Sequence, residues 1–416
     1  MREMKDSGIA WIGEIPDDWR IIRNKNAFTC SKELVGEKSE LTQLLSLTTR
    51  GIKKKDINNA EGKLPESFDT YQFVKENDLV MCLFDLDCSA VFSGISPYNG
   101  MISPAYRVLS CKKCMEPKYA DYWFQYISDG RKFNHYAKNI RYTLSYEEFS
   151  ALPLLLPERN EQRRIADYLN RKCGQIDATI ARQQKVIEKL KAYKLSVITE
   201  AVTKGLNPDV PMKDSGVEWI GEIPEHWEVM RFGRCAAIKS NLVAPDDYAD
   251  YPQISPDSIE KNSGRILEYK TVKESGVISW NHLFFKGQII YSKIRPMLNK
   301  VAIAPFDGLC SADMYPIETN NNTQFLVYMM LSDYFTSQVG LVTENRVKMP
   351  KINQNELGAI MVTIPPQIEQ ETISKYLLEK CSSVDAVIDK KQGLIDKLDD
   401  YKKSLIYEVV TGKKEV

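Results

Sequence analysis

The stretch TKGLNPDVPMKDSGVEWIGEIPEHW (Thr203–Trp227) decides the fold, because its second half occurs earlier in the chain. MKDSGIAWIGEIPDDW (Met4–Trp19) returns as MKDSGVEWIGEIPEHW (Met212–Trp227), an offset of 212 − 4 = 208 residues. Glu161-Gln162 and Cys173 return as Glu369-Gln370 and Cys381, and 381 − 173 is again 208. The chain has 416 residues, so it is two copies of one 208-residue unit. A repeat fixes the architecture before any single element is assigned. Each copy reads as a short strap, a globular domain and a long helix.

Composition narrows the class. Hydrophobic residues make up 43% and charged residues 27%, ordinary for a globular protein. The formal net charge is zero, so no global field points at nucleic acid or membrane. A DNA-binding surface would have to be local, or completed by a partner. No run approaches the roughly 20 apolar residues of a membrane span. The N-terminus, MREMKDSG, lacks the apolar core of a signal peptide. Nine scattered cysteines fit reduced thiols in a cytoplasm better than a disulfide framework.

Within the first copy, Trp11, Ile12, Ile15 and Trp19 of the strap are expected to cap a core. Residues 21–151 read as a mixed α/β domain. DLVMCLFDL (Asp78–Leu86) and AYRVLS (Ala105–Ser110) have the short apolar runs of strands, and KYADYWFQYISDG (Lys118–Gly130) has helical spacing closed by a glycine. A long helical pattern runs from Glu161 to about Lys204, with Gly174 expected to bend or break it. From Ile176 the steps alternate four and three: Ile176, Ile180, Gln183, Ile187, Leu190, Lys194, Val197, Ala201. The second copy repeats this as Val384, Ile388, Lys391, Ile395, Leu398, Lys402, Leu405, Val409, a coiled-coil seam with polar residues at matching places. Two such helices in one chain most simply pack together. A helix from Ile176 to Thr203 would be about 42 Å long, the scale of two half-sites one turn of DNA apart. Gly205 and two prolines end the first helix at the linker 203–211.

The second domain keeps landmarks of the first: SADM (Ser311–Met314) against SPAY (Ser103–Tyr106), QIIYS (Gln288–Ser292) against DLVMC (Asp78–Cys82), and NTQFLVYMMLSDYF (Asn322–Phe335) against the helix KYADYWFQYISD. The straps and helices nearly repeat while the domains differ. A constant frame around two different heads points to two equivalent positions doing different jobs.

Catalytic constellations are missing. The sequence has no G-x-x-x-x-G-K-[ST] phosphate loop and no G-x-G-x-x-G fingerprint. Its three histidines, His135, His226 and His282, have no metal-ligand spacing. Cys111-Lys-Lys-Cys114 is a lone CxxC, and a zinc site needs a second pair. Asp56, Glu61 and Lys63 loosely resemble a nuclease pattern but sit in a charged loop. We therefore expect no catalytic residue and no metal.

Basic residues interleaved with aromatic and amide groups are the candidate chemistry. In the first domain they are Arg50, Lys53, Lys54 and Lys55, and then Arg131, Lys132, Asn134, Lys138, Asn139 and Arg141. In the second they are Ser292, Lys293, Arg295, Asn299 and Lys300, and then Asn345, Arg346, Lys348 and Lys351. Lys and Arg neutralise phosphates, while Arg and Asn also read base edges. Residues 21–151 carry 18 basic and 16 acidic side chains, a net of +2, so affinity from this chain alone should be modest.

Three runs carry a family resemblance: EAVTKGLNPDVPMKDSGVEWIGEIPEHWEV (Glu200–Val229), LPLLLPERNEQRRIADYLNRKCGQID (Leu152–Asp177) and IRPMLNKVAIA (Ile294–Ala304). The sequence resembles the specificity subunits of type I restriction-modification systems over its full length. The resemblance implies two target recognition domains, each reading one half of a bipartite, asymmetric site in double-stranded DNA. It implies two helical regions packed as an antiparallel coiled coil that sets the spacer. It implies a non-catalytic subunit that binds two methylation subunits, which use S-adenosylmethionine on adenine N6, and two restriction subunits, which use ATP and Mg²⁺. No cofactor is expected on this chain.

The expected fold is thus mixed α/β, with two globular domains separated by two long antiparallel helices in a pseudo-two-fold repeat. The expected division is 1–151 for the first strap and domain, 152–211 for the first helical region and linker, 212–359 for the second strap and domain, and 360–416 for the second helical region. The chain should stop where a third strap would begin, bringing the two termini together. The competing reading is a scaffold whose coil joins two interaction domains without specific DNA reading.

Overall fold

The computed structural model describes residues 2–49, 51–56, 67–86, 92–129, 132, 136, 142–344, 346 and 348–416. They form two compact units, one of residues 1–183 with 393–416 and one of residues 184–392. Each unit contains a strap, a globular domain and part of each of two long helices, Arg159–Lys204 and Gln367–Val410.

The heads share one four-stranded antiparallel sheet. In the first unit its order is Phe28–Ser31, Arg107–Cys111, Leu79–Met81, Ser93–Ile95. In the second it is Ala237–Ile238, Met314–Glu318, Ile289–Ser292, Val301–Ile303. The strands read from the sequence are therefore present, and DLVMC and QIIYS do occupy equivalent places. A second layer differs between the heads. The first has a pair, Gln72–Val74 with Gly100–Ile102, and a separate hairpin, Leu45–Thr48 with Gly51–Lys54. The second has a five-stranded sheet in the order Leu242–Val243, Asn281–Phe284, Gly308–Cys310, Pro252–Ile254, Lys270–Thr271.

Two expectations about the helices are corrected. NTQFLVYMMLSDYF is not one helix. Thr323–Leu331 and Asp333–Thr343 are separated by Ser332, whose extended backbone (ψ 154°) breaks the ladder while its hydroxyl donates to the Met329 carbonyl at 2.6 Å. Competition of this kind is what serine does to helices. In the first domain the helix is Pro117–Ser128, as expected. Gly174 does not interrupt the first long helix, which is continuous over 46 residues. Glycine costs such a helix only about 1 kcal/mol against alanine, and the buried neighbours Cys173, Ile176 and Ile180 outweigh that.

The repeated strap residues do the same work twice. Each strap forms a hairpin of the same register, Met4↔Pro16 and Met212↔Pro224. Ile12, Ile15 and Trp19 are buried as expected. The Trp19 indole donates to Glu161 at 3.1 Å, and the Trp227 indole to Glu369 at 2.9 Å. The adjoining glutamines are fully used. Gln162 donates to the Cys114 and Pro157 carbonyls and accepts from the Glu116 amide; Gln370 donates to Asn321 and the Pro365 carbonyl and accepts from the Asn322 amide. Each long helix thus holds the strap and the start of the domain helix, Pro117–Ser128 or Thr323–Leu331, through the dipeptide that the sequence repeats.

Both long helices end on a left-handed glycine. Gly205 (φ 73°) lies against the Trp227 ring and Gly412 (φ 74°) against the Trp19 ring. Lys413 then donates to the Ile12 carbonyl at 2.9 Å. The last turn of the chain therefore packs on the first strap, as the end of the first helix packs on the second. The helices run antiparallel and are clasped by one repeated ion pair. Lys402 meets Asp177 at 2.7 Å in the first unit, and Lys194 meets Asp385 at 2.8 Å in the second. Both members shift by 208 between the two pairs, since 402 − 194 and 385 − 177 are equal.

Candidate nucleic-acid interface

In the second unit, topology gathers the basic residues that the sequence scatters. The strand Ile289–Ser292 ends where Met314–Glu318 begins, with Ser292 opposite Met314. The strand Gly308–Cys310 ends, and Asn281–Phe284 begins, at the same edge, since His282 faces Cys310. A later segment then zips onto this edge. The Ile352 amide donates to the Lys293 carbonyl at 2.9 Å, and the Arg295 amide to the Pro350 carbonyl at 2.8 Å. Lys293, Arg295, Arg346, Lys348 and Lys351 therefore share one rim.

The rim is partly self-neutralised. Lys351 pairs with Asp313 at 3.1 Å. Arg346 pairs with Glu356, and the guanidinium holds that carboxyl below its usual range. Lys293, Arg295 and Lys348 have no carboxylate partner among the described residues. Arg295 is exposed and sits at φ 44°, a left-handed backbone rare for a residue with a side chain. Such conformations cluster at functional sites because the surroundings must over-determine them. The other residues named in this domain are embedded. Ser292 is 1% exposed and donates to the Ile294 carbonyl; Asn299 is 2% exposed and donates to the Met330 carbonyl and Thr336. Lys300 binds the Pro256 carbonyl at 2.7 Å and Asp257 at 3.2 Å. Asn345 lies outside the described residues.

The first unit has the same zipper. The Leu144 amide donates to Leu83 and the Leu86 amide to Tyr142, with Asp85 (φ 49°) and Tyr142 (φ 45°) left-handed. The run from Arg131 leads into it, but Arg131, Asn134, Lys138, Asn139 and Arg141 lie outside the described residues. Lys132 is described. It donates to the Tyr126 carbonyl at 3.0 Å and to the Asp129 carbonyl, with its ammonium over the Tyr126 ring at 4.2 Å, and its burial lowers its pKa. That geometry closes the helix Pro117–Ser128. Lys53, Lys54 and Lys55 lie on the hairpin whose last pair is Thr48↔Gly51, with Arg50 outside the described residues. Lys54 stands over the Tyr98 ring at 4.8 Å. Beside Lys54 and Lys55, an open hollow of about 550 Å³ is edged by Leu41, which is 93% exposed.

Sequence reasoning missed His282, Tyr315, Gln354 and Asn355, which line a cavity with Lys293. They come from separate strands and a late helix, so no local spacing links them. The nuclease-like trio cannot be placed, because Glu61 and Lys63 lie outside the described residues. No group of His, Cys, Asp and Glu suited to a metal occurs among the described residues.

Comparisons with known proteins give likenesses of family and fold. Residues 224–399 match the family model described as type I restriction modification DNA specificity domain. The specificity subunit of the type I restriction enzyme EcoDI from Escherichia coli is 34% identical over 281 residues. The chain is similar to the type I restriction-modification specificity subunits. The EcoDI alignment covers 64% of this chain and 63% of that subunit. A putative type I restriction enzyme MjaX specificity subunit from Methanocaldococcus jannaschii is 24% identical and aligns over 97% of this chain and 95% of its own length. Among solved structures, a chain from work titled as the structural basis of complex assembly and conformational transition of the type I R-M system has a TM-score of 0.67 at 12% identity. It covers 96% of this chain and 99% of its own, which supports the two-copy fold at full length.

Proposed function

We propose that the chain reads a bipartite, asymmetric site in double-stranded DNA, one half per unit. The observation that carries this is the pair of equivalent rims. Both heads share a sheet order and a backbone zipper, yet they present different side chains at it: Asp85 and Tyr142 in one, Arg295 and Met349 in the other. A frame repeated nearly residue for residue holds them. Different heads on equal mounts are what an asymmetric two-part target requires. The recognition domains are residues 1–151 and 212–359, and the helical regions are 152–211 and 360–416.

The contact set follows from exposure and pairing. Lys293, Arg295, Lys348, Arg346 and Lys351 face DNA in the second head, and Lys53, Lys54 and Lys55 in the first; Arg50, Arg131, Asn134, Lys138, Asn139 and Arg141 join the set on their residue types alone. Ser292, Asn299 and Lys300 brace the rim. The paired helices set the spacer and dock two methylation subunits, and two restriction subunits complete the cytoplasmic complex. The chain catalyses nothing. S-adenosylmethionine, ATP and Mg²⁺ belong to the partners. Mapping N6-methyladenine in a host that expresses the chain with its methylation subunit tests this. The expected result is one bipartite motif with two unlike halves. Methylation at no specific motif would favour a scaffold instead.

A further inference from the structure

We propose that the cavity between Lys293 and His282 is an anion seat that takes one phosphate of the DNA backbone. The inference rests on the DNA-reading function above and names a site within it. The cavity, of about 390 Å³, is lined by Ser240, His282, Lys293, Tyr315, Gln354 and Asn355 together with Leu242, Ala312 and Asn353. Its lining has one cation, several hydroxyl and amide groups, and no carboxylate. The two acids of the rim are engaged elsewhere, Asp313 by Lys351 and Glu356 by Arg346. The Lys293 ammonium rests over the Tyr315 ring at 5.2 Å and has no carboxylate partner among the described residues.

His282 supplies the second observation. It is 3% exposed, and its Nδ1 has no hydrogen-bond partner among the described residues. A buried imidazole nitrogen left unpaired is costly; with the ring proton on Nδ1 it can donate to a phosphate oxygen, which completes the site. The imidazole is fixed from several sides. Its strand pairs with Leu242 on one side and Cys310 on the other, and its ring lies 6.4 Å from that of Tyr315. An ammonium on an aromatic face, beside amide and hydroxyl donors and with no carboxylate in the lining, suits a tetrahedral oxyanion. It does not suit a metal ion or an apolar group.

The test uses the full chain in complex with its methylation subunit. For wild type and Lys293→Gln, DNA affinity is measured between 50 and 200 mM salt. One lost phosphate contact lowers the slope of log K against log salt by about 0.9, so the loss of affinity over that range shrinks about 3.5-fold. The slope should fall equally on specific and non-specific duplexes, with the methylated motif unchanged. Gln354→Ala, at a half-buried amide, should weaken binding but leave the slope unchanged, because an uncharged group releases no counterion. Inorganic phosphate, added as a probe while the His282 ring signals are followed by NMR, should shift them in wild type but not in Lys293→Gln. If phosphate saturates the site and also competes with DNA, the occupant is a backbone phosphate. If it saturates without competing, the seat serves a free anion and the DNA assignment is overturned. An unchanged slope with an altered half-site would make Lys293 a base reader and overturn the seat alone. Absence of specific binding by the wild-type complex would overturn the DNA-reading function as well.

Discussion

Gly205 and Gly174 show how one residue type carries opposite weight at two places in a single helix. At Gly205 the backbone is left-handed (φ 73°), and a Cβ would stand 3.2 Å from the Trp227 ring. Gly205→Ala should cost about 1–3 kcal/mol and lower the midpoint of thermal unfolding. At Gly174 a Cβ would meet nothing within 4 Å. Gly174→Ala should stabilise by about 0.5–1 kcal/mol in the same assay. Asp121 offers a test by pH. Burial pushes its carboxyl up to about 6 from an ordinary 3.8, against the Gln125 amide that donates to it at 2.9 Å. The folded state therefore holds this proton more tightly than the unfolded chain. Its stabilising contribution is full below 3.8 and is lost as pH rises through about 6. Asp121→Asn should raise the unfolding midpoint near pH 7 and leave it unchanged near pH 4.

At the scale of elements, the two ion pairs of the helices are the same chemistry in different surroundings. The Lys194 side chain is 9% exposed beside Asp385 at 25%, whereas Lys402 and Asp177 are 26% and 53% exposed. Removing one partner of a buried pair strands the other charge and costs about 3–5 kcal/mol, while an exposed pair contributes about 0–1 kcal/mol. Lys194→Ala should therefore destabilise far more than Lys402→Ala, as read by denaturant midpoints of the full chain. The helical seam was legible in the sequence, including its polar positions, because a four-three alternation leaves a periodic trace. Their partners were not. Asp177 and Asp385 lie outside that seam, and only packing shows which carboxylate each lysine reaches. Ser332 is a similar case. Its apolar neighbours have helical spacing, and the break depends on one hydroxyl competing for a carbonyl.

At the scale of the whole molecule, frame and heads should be separable. Under the proposed function, exchanging residues 21–151 for those of a type I specificity subunit should change one half of the methylated motif and leave the other half and the spacer alone. Inserting one heptad at equivalent places in both long helices should change the spacer alone. Genome-wide mapping of N6-methyladenine reads both outcomes, and a change in both halves after the domain exchange would contradict the division. The sequence by itself determined the two-copy plan, the strap and the long helices, since these rest on repeats and periodicity, which are properties of residue order. Tertiary structure decided how the chain divides, with residues 393–416 joining residues 1–183. It also decided which of the basic residues share a rim and which are bound up as braces. Those outcomes depend on sheet edges that bring residues 293, 315 and 354 to one place, and strand pairing over such separations leaves no mark in local sequence.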